Sequence, residues 1–248
     1  MAPRARSRAD ELLVARGLLP SRSKAQAYIL GGRVWSGDRR IEKAGQLLAV
    51  DAPLDVKMGP RFVSRGGEKL EGALQTLGVD PARAVCVDVG ASTGGFTDCL
   101  LQHGATKVYA VDVGHGQLDP KLRRDPRVVT MERTNARDLV REAFSEPIAL
   151  VVVDASFIGL EKLLPALARL LRSGGRLLAL VKPQFEAGRR EAQRGRGVIR
   201  DPAVRESAIA RVRSAIASSG FELVAECDSC LPGPKGNLER FVLARRTG

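Results

Sequence analysis

The segment Val87-Asp88-Val89-Gly90-Ala91-Ser92-Thr93-Gly94-Gly95-Phe96-Thr97 constrains this chain most, because it reads as a buried strand, a glycine-rich turn and the start of a helix. Glycine removes the side chain that would block a close approach, so such a turn presents backbone N–H groups and a helix N-terminus to a ligand. A dinucleotide site requires G-x-G-x-x-G, whereas the glycines here stand at 90, 94 and 95. A P-loop requires Lys and then Ser or Thr after its second glycine, and this chain offers Phe96-Thr97. What remains is a nucleoside ligand without a polyphosphate, and S-adenosylmethionine is of that kind. Asp88 is then expected to meet its methionine amino group. Asp112, 22 positions after Gly90, is expected to accept hydrogen bonds from the ribose hydroxyls.

Around this turn, extended and helical patterns alternate. Apolar runs at Ala84–Val89, Lys107–Val111, Arg127–Thr130, Ile148–Val153 and Arg176–Val181 are separated by helix-compatible segments, which implies an α/β fold with a parallel sheet covered on both faces. A leucine stripe from Leu160 to Leu171 reads as one helix, kinked at Pro165 and closed by Ser173-Gly174-Gly175. A helix at about Asp201–Ser219 precedes Phe221–Glu226 and Arg240–Ala244, which read as an antiparallel pair added at the sheet edge. Before residue 60 the pattern changes to two short helices, the first capped by Ser7 and the second by Ser21 or Ser23, followed by a strand and a turn at Gly37-Asp38. Lys57-Met58-Gly59-Pro60 has no periodicity, so the chain divides into a domain at 1–59, a linker at 60–63 and a larger domain at 64–248.

The net charge of +12 points to a polyanionic partner. Residues 1–43 concentrate it, with ten basic side chains against four acidic ones. Aromatic residues make up only 4% of the chain, which favours backbone and shape contacts over rows of stacked bases. No apolar run approaches the length of a membrane span, and the basic N-terminus leads into Asp10 and Glu11 rather than an apolar segment, so a cytoplasmic protein is expected. Cys86 and Cys99 fall in core-like runs. Cys227 and Cys230 have C-x-x-C spacing without further ligands in register, since His103 and His115 are not so placed, and no metal site is expected.

Several longer strings carry a family resemblance. These are Phe62-Val63-Ser64-Arg65-Gly66-Gly67-Glu68-Lys69-Leu70, the Asp88–Thr97 loop, Asp112-Val113-Gly114-His115-Gly116-Gln117-Leu118, Glu132-Arg133-Thr134-Asn135-Ala136-Arg137, Val153-Asp154-Ala155-Ser156-Phe157-Ile158, Val181-Lys182-Pro183-Gln184-Phe185-Glu186 and Leu231-Pro232-Gly233-Pro234-Lys235-Gly236-Asn237-Leu238-Glu239. The chain resembles the TlyA-type haemolysin-like rRNA methyltransferases, whose catalytic domain is related to the FtsJ-type ribose 2′-O-methyltransferases. Its head, from Arg8-Ala9-Asp10 to Gly32-Arg33-Val34, resembles the S-four-type RNA-binding domain of a ribosomal protein. Phe62 departs from the pattern, as the family often carries Tyr or Trp there.

The resemblance implies a Rossmann-like methyltransferase sheet of about seven mostly parallel strands behind a small α+β RNA-binding domain. It implies a monomeric enzyme acting on ribosomal RNA in ribosomal subunits, with S-adenosylmethionine as cofactor. The cofactor would be held by Asp88, Gly90, Ala91, Ser92, Gly94, Gly95, Phe96, Thr97, Asp112, Val113, Asn135, Asp154 and Phe157. RNA would be held by Arg4, Arg6, Arg22, Lys24, Arg33 and Arg65. A catalytic tetrad would fall on Lys69, Asp154, Lys182 and Glu239.

Chemistry agrees with that tetrad. A ribose hydroxyl is a poor nucleophile at neutral pH, so methyl transfer needs proton removal and in-line positioning. Lys182 is the candidate base, Asp154 would orient it, and Glu239 would hold Lys69. Base-directed methylation fits less well: Asp154-Ala155-Ser156-Phe157 lacks the Pro-Pro turn of amino-group methyltransferases, and Cys86 and Cys99 are expected to be buried. Two other classes stay open, a non-catalytic ribosome-assembly scaffold and a membrane-lytic protein.

Overall fold

The structure, a computed structural model, describes residues 5–188, 191 and 195–248; Arg4, an expected RNA contact, lies outside them. The chain forms two compact units, Met1–Arg61 and Phe62–Gly248.

The first unit runs β1 (Arg6–Arg8), α1 (Ala9–Ala15), α2 (Arg22–Leu30), β2 (Val34–Ser36), β3 (Arg39–Arg40), β4 (Leu47–Ala49) and β5 (Asp55–Val56). β1 pairs with β4, and β3, β2 and β5 form a small antiparallel sheet in that order. Leu13, Leu19, Ile29, Val34 and Ile41 make its core. Ser21 caps α2 by accepting from Lys24 N, as its position suggests. Ser7 does not cap α1. It lies in β1, and its hydroxyl donates to Glu11 Oε2 at 3.3 Å. The buried Asp10 takes over the ordering of this end by accepting from Arg8, Arg22 and Gln26, which ties α1 to α2. The hydrogen-bonded Arg8 guanidinium holds the Asp10 carboxyl well below the usual carboxylate range.

The second unit is built on β6 (Val85–Val89), β7 (Lys107–Val111), β8 (Val128–Met131), β9 (Ile148–Val153), β10 (Leu171–Val181), β11 (Phe221–Asp228) and β12 (Arg240–Arg246), in spatial order β11-β12-β10-β9-β6-β7-β8. The strands from β6 to β10 pair in parallel, whereas β12 runs antiparallel to β10 and β11. The helices are α3 (Arg65–Thr76), α4 (Gly95–Gln102), α5 (Pro120–Arg123), α6 (Leu164–Leu170), α7 (Pro183–Glu186) and α8 (Pro202–Ser218).

Strand periodicity sorts the core into two clusters, one on each face. Val87, Val151 and Val153 join one, with Leu164, Leu167 and Ile216. Cys86, Leu150 and Val152 join the other, with Leu70, Leu100 and Phe241. Burial on both faces is why the central strands are apolar almost throughout, and each fully buried aliphatic side chain contributes about 1.5–3 kcal/mol. From β6 the chain moves to β7 and β8 on one side, then crosses to β9 and β10 on the other. The crevice outside the carboxyl ends of β6 and β9 is therefore the topological switch point, where open α/β sheets bind ligands.

Two local expectations are corrected. The leucine stripe is not one kinked helix: a 3₁₀ turn at Leu160–Lys162 precedes α6, and Pro165 sits in the first turn of α6, where its missing N–H costs nothing. The helix ends at Leu170, and Ser173-Gly174-Gly175 lie within β10, where the register to β9 shifts between Leu171 and Arg176. Phe62, assigned to the linker from its sequence position, is 2% exposed and packs in the second cluster with Leu70 and Phe96.

Candidate active site

The glycine turn leaves β6 with Gly90 at φ 85° and enters α4 through Gly94 at φ 94°, both left-handed. A Cβ on Gly90 would stand 2.8 Å from the carbonyl oxygen of Asp154, so glycine also lets the ends of β6 and β9 meet. Beside the turn, Asp112 closes β7. Its Oδ2 accepts Ser92 N at 2.8 Å and its Oδ1 accepts Gly114 N at 2.6 Å. These bonds fix the carboxylate and leave each oxygen a further lone pair.

A cleft of about 530 Å³ opens there, lined by Gly90, Ser92, Asp112, Val113, Asn135, Asp154 and Phe157 among others. This is the size of a small-ligand pocket. Val113 and Phe157, 72% and 91% exposed, give it apolar flanks. A fixed carboxylate, apolar flanks and a turn without a P-loop lysine fit a nucleoside bearing a cationic side arm.

Three of the expected cofactor residues line neither this cleft, the candidate cofactor cleft, nor the candidate catalytic cleft beside it. Asp88 is fully buried beneath the turn and accepts from Thr97 Oγ1 at 2.7 Å. It bolts the turn to the start of α4, and among the described residues its other oxygen, Oδ1, has no hydrogen-bond partner. Thr97 is its buried partner, and Gly94 is a packing position where a Cβ would meet Leu122 Cδ1 at 2.3 Å.

Burial pushes the Asp88 carboxyl up to about 7, with Asp154 and Asp112 adding to the rise. An unfolded carboxyl titrates near ~3.9. Between these values the folded chain holds a proton that the unfolded chain has lost, so this group makes stability fall as pH rises from about 4 through about 7. Asp88→Asn keeps an acceptor for Thr97 and removes the ionisation. Thermal melts should show the variant gaining several degrees over wild type at pH 8 and nothing at pH 4; equal melting points at pH 8 would contradict this account.

Next to the cofactor cleft lies a second one, of about 380 Å³, where Lys69, Asp154, Lys182 and Glu239 meet Gly90, Ala91, Ser92, Gly95 and Phe96. Lys69 projects from α3 and Glu239 from just before β12, and their Nζ and Oε2 are 2.6 Å apart with side chains only 9% and 1% exposed. Asp154 and Lys182 directly follow β9 and β10. Lys182 Nζ lies 2.7 Å from Asp154 Oδ1 and 2.9 Å from Ser156 Oγ. Burial raises the Asp154 carboxyl above its ordinary value, opposed by the charge of Lys182. The arrangement offers two ion pairs on one cleft, Lys69–Glu239 and Lys182–Asp154, with both lysine side chains largely buried.

Ser64, Pro232 and Pro234 also line the catalytic cleft, and Ser156 and Gln117 the cofactor cleft; strand-end reasoning named none of them. Arg65, expected on RNA, lines the catalytic cleft and donates to Pro232 O at 3.2 Å. Arg6, Arg22, Lys24 and Arg33 are exposed on the first unit. Arg22 is held by Asp10 at 3.1 Å, while Lys24 Nζ and the Arg33 guanidinium carbon lie 5.5 and 5.6 Å from the Tyr28 ring centroid. Cys86 is buried, and its thiol is pushed up to about 12, far from a nucleophilic thiolate. Cys227 and Cys230 are free thiols, and among the described residues no group of three or more His, Cys, Asp or Glu is placed to hold a metal. Among the described residues no helix is long and apolar enough to cross a membrane.

Residues 62–247 match the family model of the FtsJ-like methyltransferases. The chain belongs to that family. The methyltransferase is 43% identical over 242 residues to the 16S/23S rRNA (cytidine-2′-O)-methyltransferase TlyA of Mycobacterium tuberculosis, covering 97% of this chain and 90% of that one. It is 45% identical over 234 residues to Hemolysin A of Brachyspira hyodysenteriae, covering 94% and 97%. A solved structure described as a haemolysin, from Streptococcus thermophilus, is 39% identical with a TM-score of 0.74, covering 99% of this chain and 90% of that one. As a member of this family the enzyme takes its methyl group from S-adenosylmethionine.

Proposed function

We propose that this methyltransferase methylates ribose 2′-hydroxyls of ribosomal RNA within ribosomal subunits, with cytidine as the nucleoside, and therefore works in the cytoplasm. The convergence of Lys69, Asp154, Lys182 and Glu239 on one cleft beside the glycine turn carries this reading. The activity by which the Mycobacterium tuberculosis relative is named supports the choice of ribose and of cytidine.

S-adenosylmethionine bound here supplies an electrophilic methyl on a sulfonium. Asp112 would hold the ribose hydroxyls of the cofactor, and Val113 and Phe157 would supply an apolar surface for its base. The substrate 2′-hydroxyl enters the catalytic cleft, and Lys182, uncharged at that moment, accepts its proton as the oxygen attacks. Asp154 orients the amine, and the buried Lys69–Glu239 pair holds α3 to the strand-end loop. The first unit binds RNA through Arg6, Arg22, Lys24 and Arg33, with Arg4 as a further contact.

Purified protein, intact ribosomal subunits and tritium-labelled methyl donor test the proposal. Label on ribosomal RNA is the expected result, and an unlabelled RNA with active cofactor binding contradicts it. The RNA contacts have their own test. Arg22→Ala should weaken rRNA binding and reduce the slope of log affinity against log salt by roughly 0.7–0.9, the share of one phosphate contact. Filter binding between low and moderate salt measures it, and an unchanged slope removes Arg22 from the interface.

A further inference from the structure

We infer that Ser156 is a positioning residue that aims the reactive lone pair of Lys182. The inference rests on the proposed role of Lys182 as general base.

A lysine ammonium has three donor positions around its nitrogen, and they turn together about the Cε–Nζ bond. In this site one position donates to Ser156 Oγ at 2.9 Å, and the Asp154 carboxylate is the ion-pair partner, its Oδ1 2.7 Å from the nitrogen. A further contact, to the main-chain oxygen of Asp154 at 3.5 Å, is at the edge of hydrogen-bond range. The proton facing that oxygen is the least held, so it is the one that leaves when the amine becomes neutral.

The neutral amine then keeps two N–H donors and one lone pair. Asp154 and Ser156 each take one N–H, and the lone pair is left at the remaining vertex of a residue that lines the catalytic cleft. With Asp154 alone the amine would rotate about Cε–Nζ and spread the lone pair over a cone. Two acceptors fix the rotation. Ser156 must accept for this to work, and its hydroxyl proton is free to point away, because the side chain is exposed and borders the cofactor cleft and the cavity of about 980 Å³ beyond Lys182. The other lysine of the tetrad, Lys69, is held by a carboxylate oxygen, Glu239 Oε2, at 2.6 Å.

During transfer the 2′-oxygen forms a bond to the methyl carbon, the carbon–sulfur bond breaks with its electron pair going to sulfur, and the hydroxyl proton moves to the Lys182 lone pair. Misaiming that lone pair slows this step and leaves the binding of either substrate alone.

Ser156→Ala, Ser156→Thr and Lys182→Met should be assayed together with wild type on ribosomal subunits, with kcat and both KM values measured. Ser156→Ala should lower kcat about tenfold with the KM for the ribosomal substrate within about twofold. Threonine keeps the hydroxyl and should recover most of the rate. Wild-type rate in Ser156→Ala, or a Thr variant as slow as Ala, overturns the inference while Lys182→Met still shows that the base is needed. Wild-type transfer undiminished by Lys182→Met overturns the assignment of the base itself, and the role of Ser156 falls with it.

Discussion

Lys182→Met is expected to lower kcat for methyl transfer by about 10²–10⁴-fold while cofactor affinity stays within a fewfold of wild type. Methionine has nearly the length and volume of the lysine stem, so the cleft keeps its shape and only the amine is lost. The effect should fall on kcat because the proposed role of the amine is to take a proton that moves only as the new bond forms; an interaction made only in the transition state lowers kcat and kcat/KM together. Cofactor affinity is spared because Asp112, Val113 and Phe157 line the neighbouring cleft, where Lys182 is not a wall residue. Arginine at this position would remain protonated and should be as inactive as methionine. Calorimetric titration with the cofactor and single-turnover transfer separate the two quantities. A variant retaining more than about a tenth of the rate would show that general-base chemistry belongs elsewhere.

Glu239→Ala is expected to destabilise the second unit by about 3–5 kcal/mol, because it leaves the Lys69 ammonium buried without its partner. For a unit of this size that corresponds to a fall in melting temperature on the order of 10 °C. The loss reflects the stranded charge and not the net worth of the pair, so replacing both partners together, as Lys69→Met with Glu239→Leu, should recover most of the stability. It should not recover turnover if the pair also sets the geometry of the cleft that both residues line. Differential scanning calorimetry of the single and double variants decides this. A single variant that melts within two degrees of wild type would mean that water reaches Lys69 and that the pair is not sealed.

The strands were legible from residues wherever burial on both faces imposes a continuous apolar run: Lys107–Val111 and Ile148–Val153 match their observed bounds. The antiparallel pair at the edge was legible for the complementary reason, since a Pro-Gly-Pro turn cannot make a crossover and returns the chain beside itself. The leucine stripe misled because its spacing reports burial and not backbone continuity; the 3₁₀ turn at Leu160–Lys162 and α6 both bury their leucines, and a distant residue, Glu186, accepts Leu160 N at 2.9 Å where the turn begins. Ser7 misled likewise: a local capping signal lost to the pairing of Arg6–Arg8 with Leu47–Ala49.

For the site, spacing alone gives the glycine turn and Asp112. Lys69, Asp154, Lys182 and Glu239 are spread over 170 positions, and only the resemblance joined them before the fold brought them to one cleft. The motif position of Asp88 suggests a ligand contact and gives no sign of its depth, which the fold shows: it lies fully buried and accepts from Thr97. Ser156 carries no signal of its own; it matters because it stands within reach of the amine of Lys182.

The chemistry proposed for this cleft concerns an oxygen on the sugar, and the position of the transferred methyl tests it most directly. Ribosomal RNA treated with the enzyme and donor should be digested to nucleosides and analysed by mass spectrometry with fragmentation at the glycosidic bond. The added methyl mass is expected on the ribose fragment of cytidine, with the base unmodified. A methyl mass that stays with the base fragment would contradict the account.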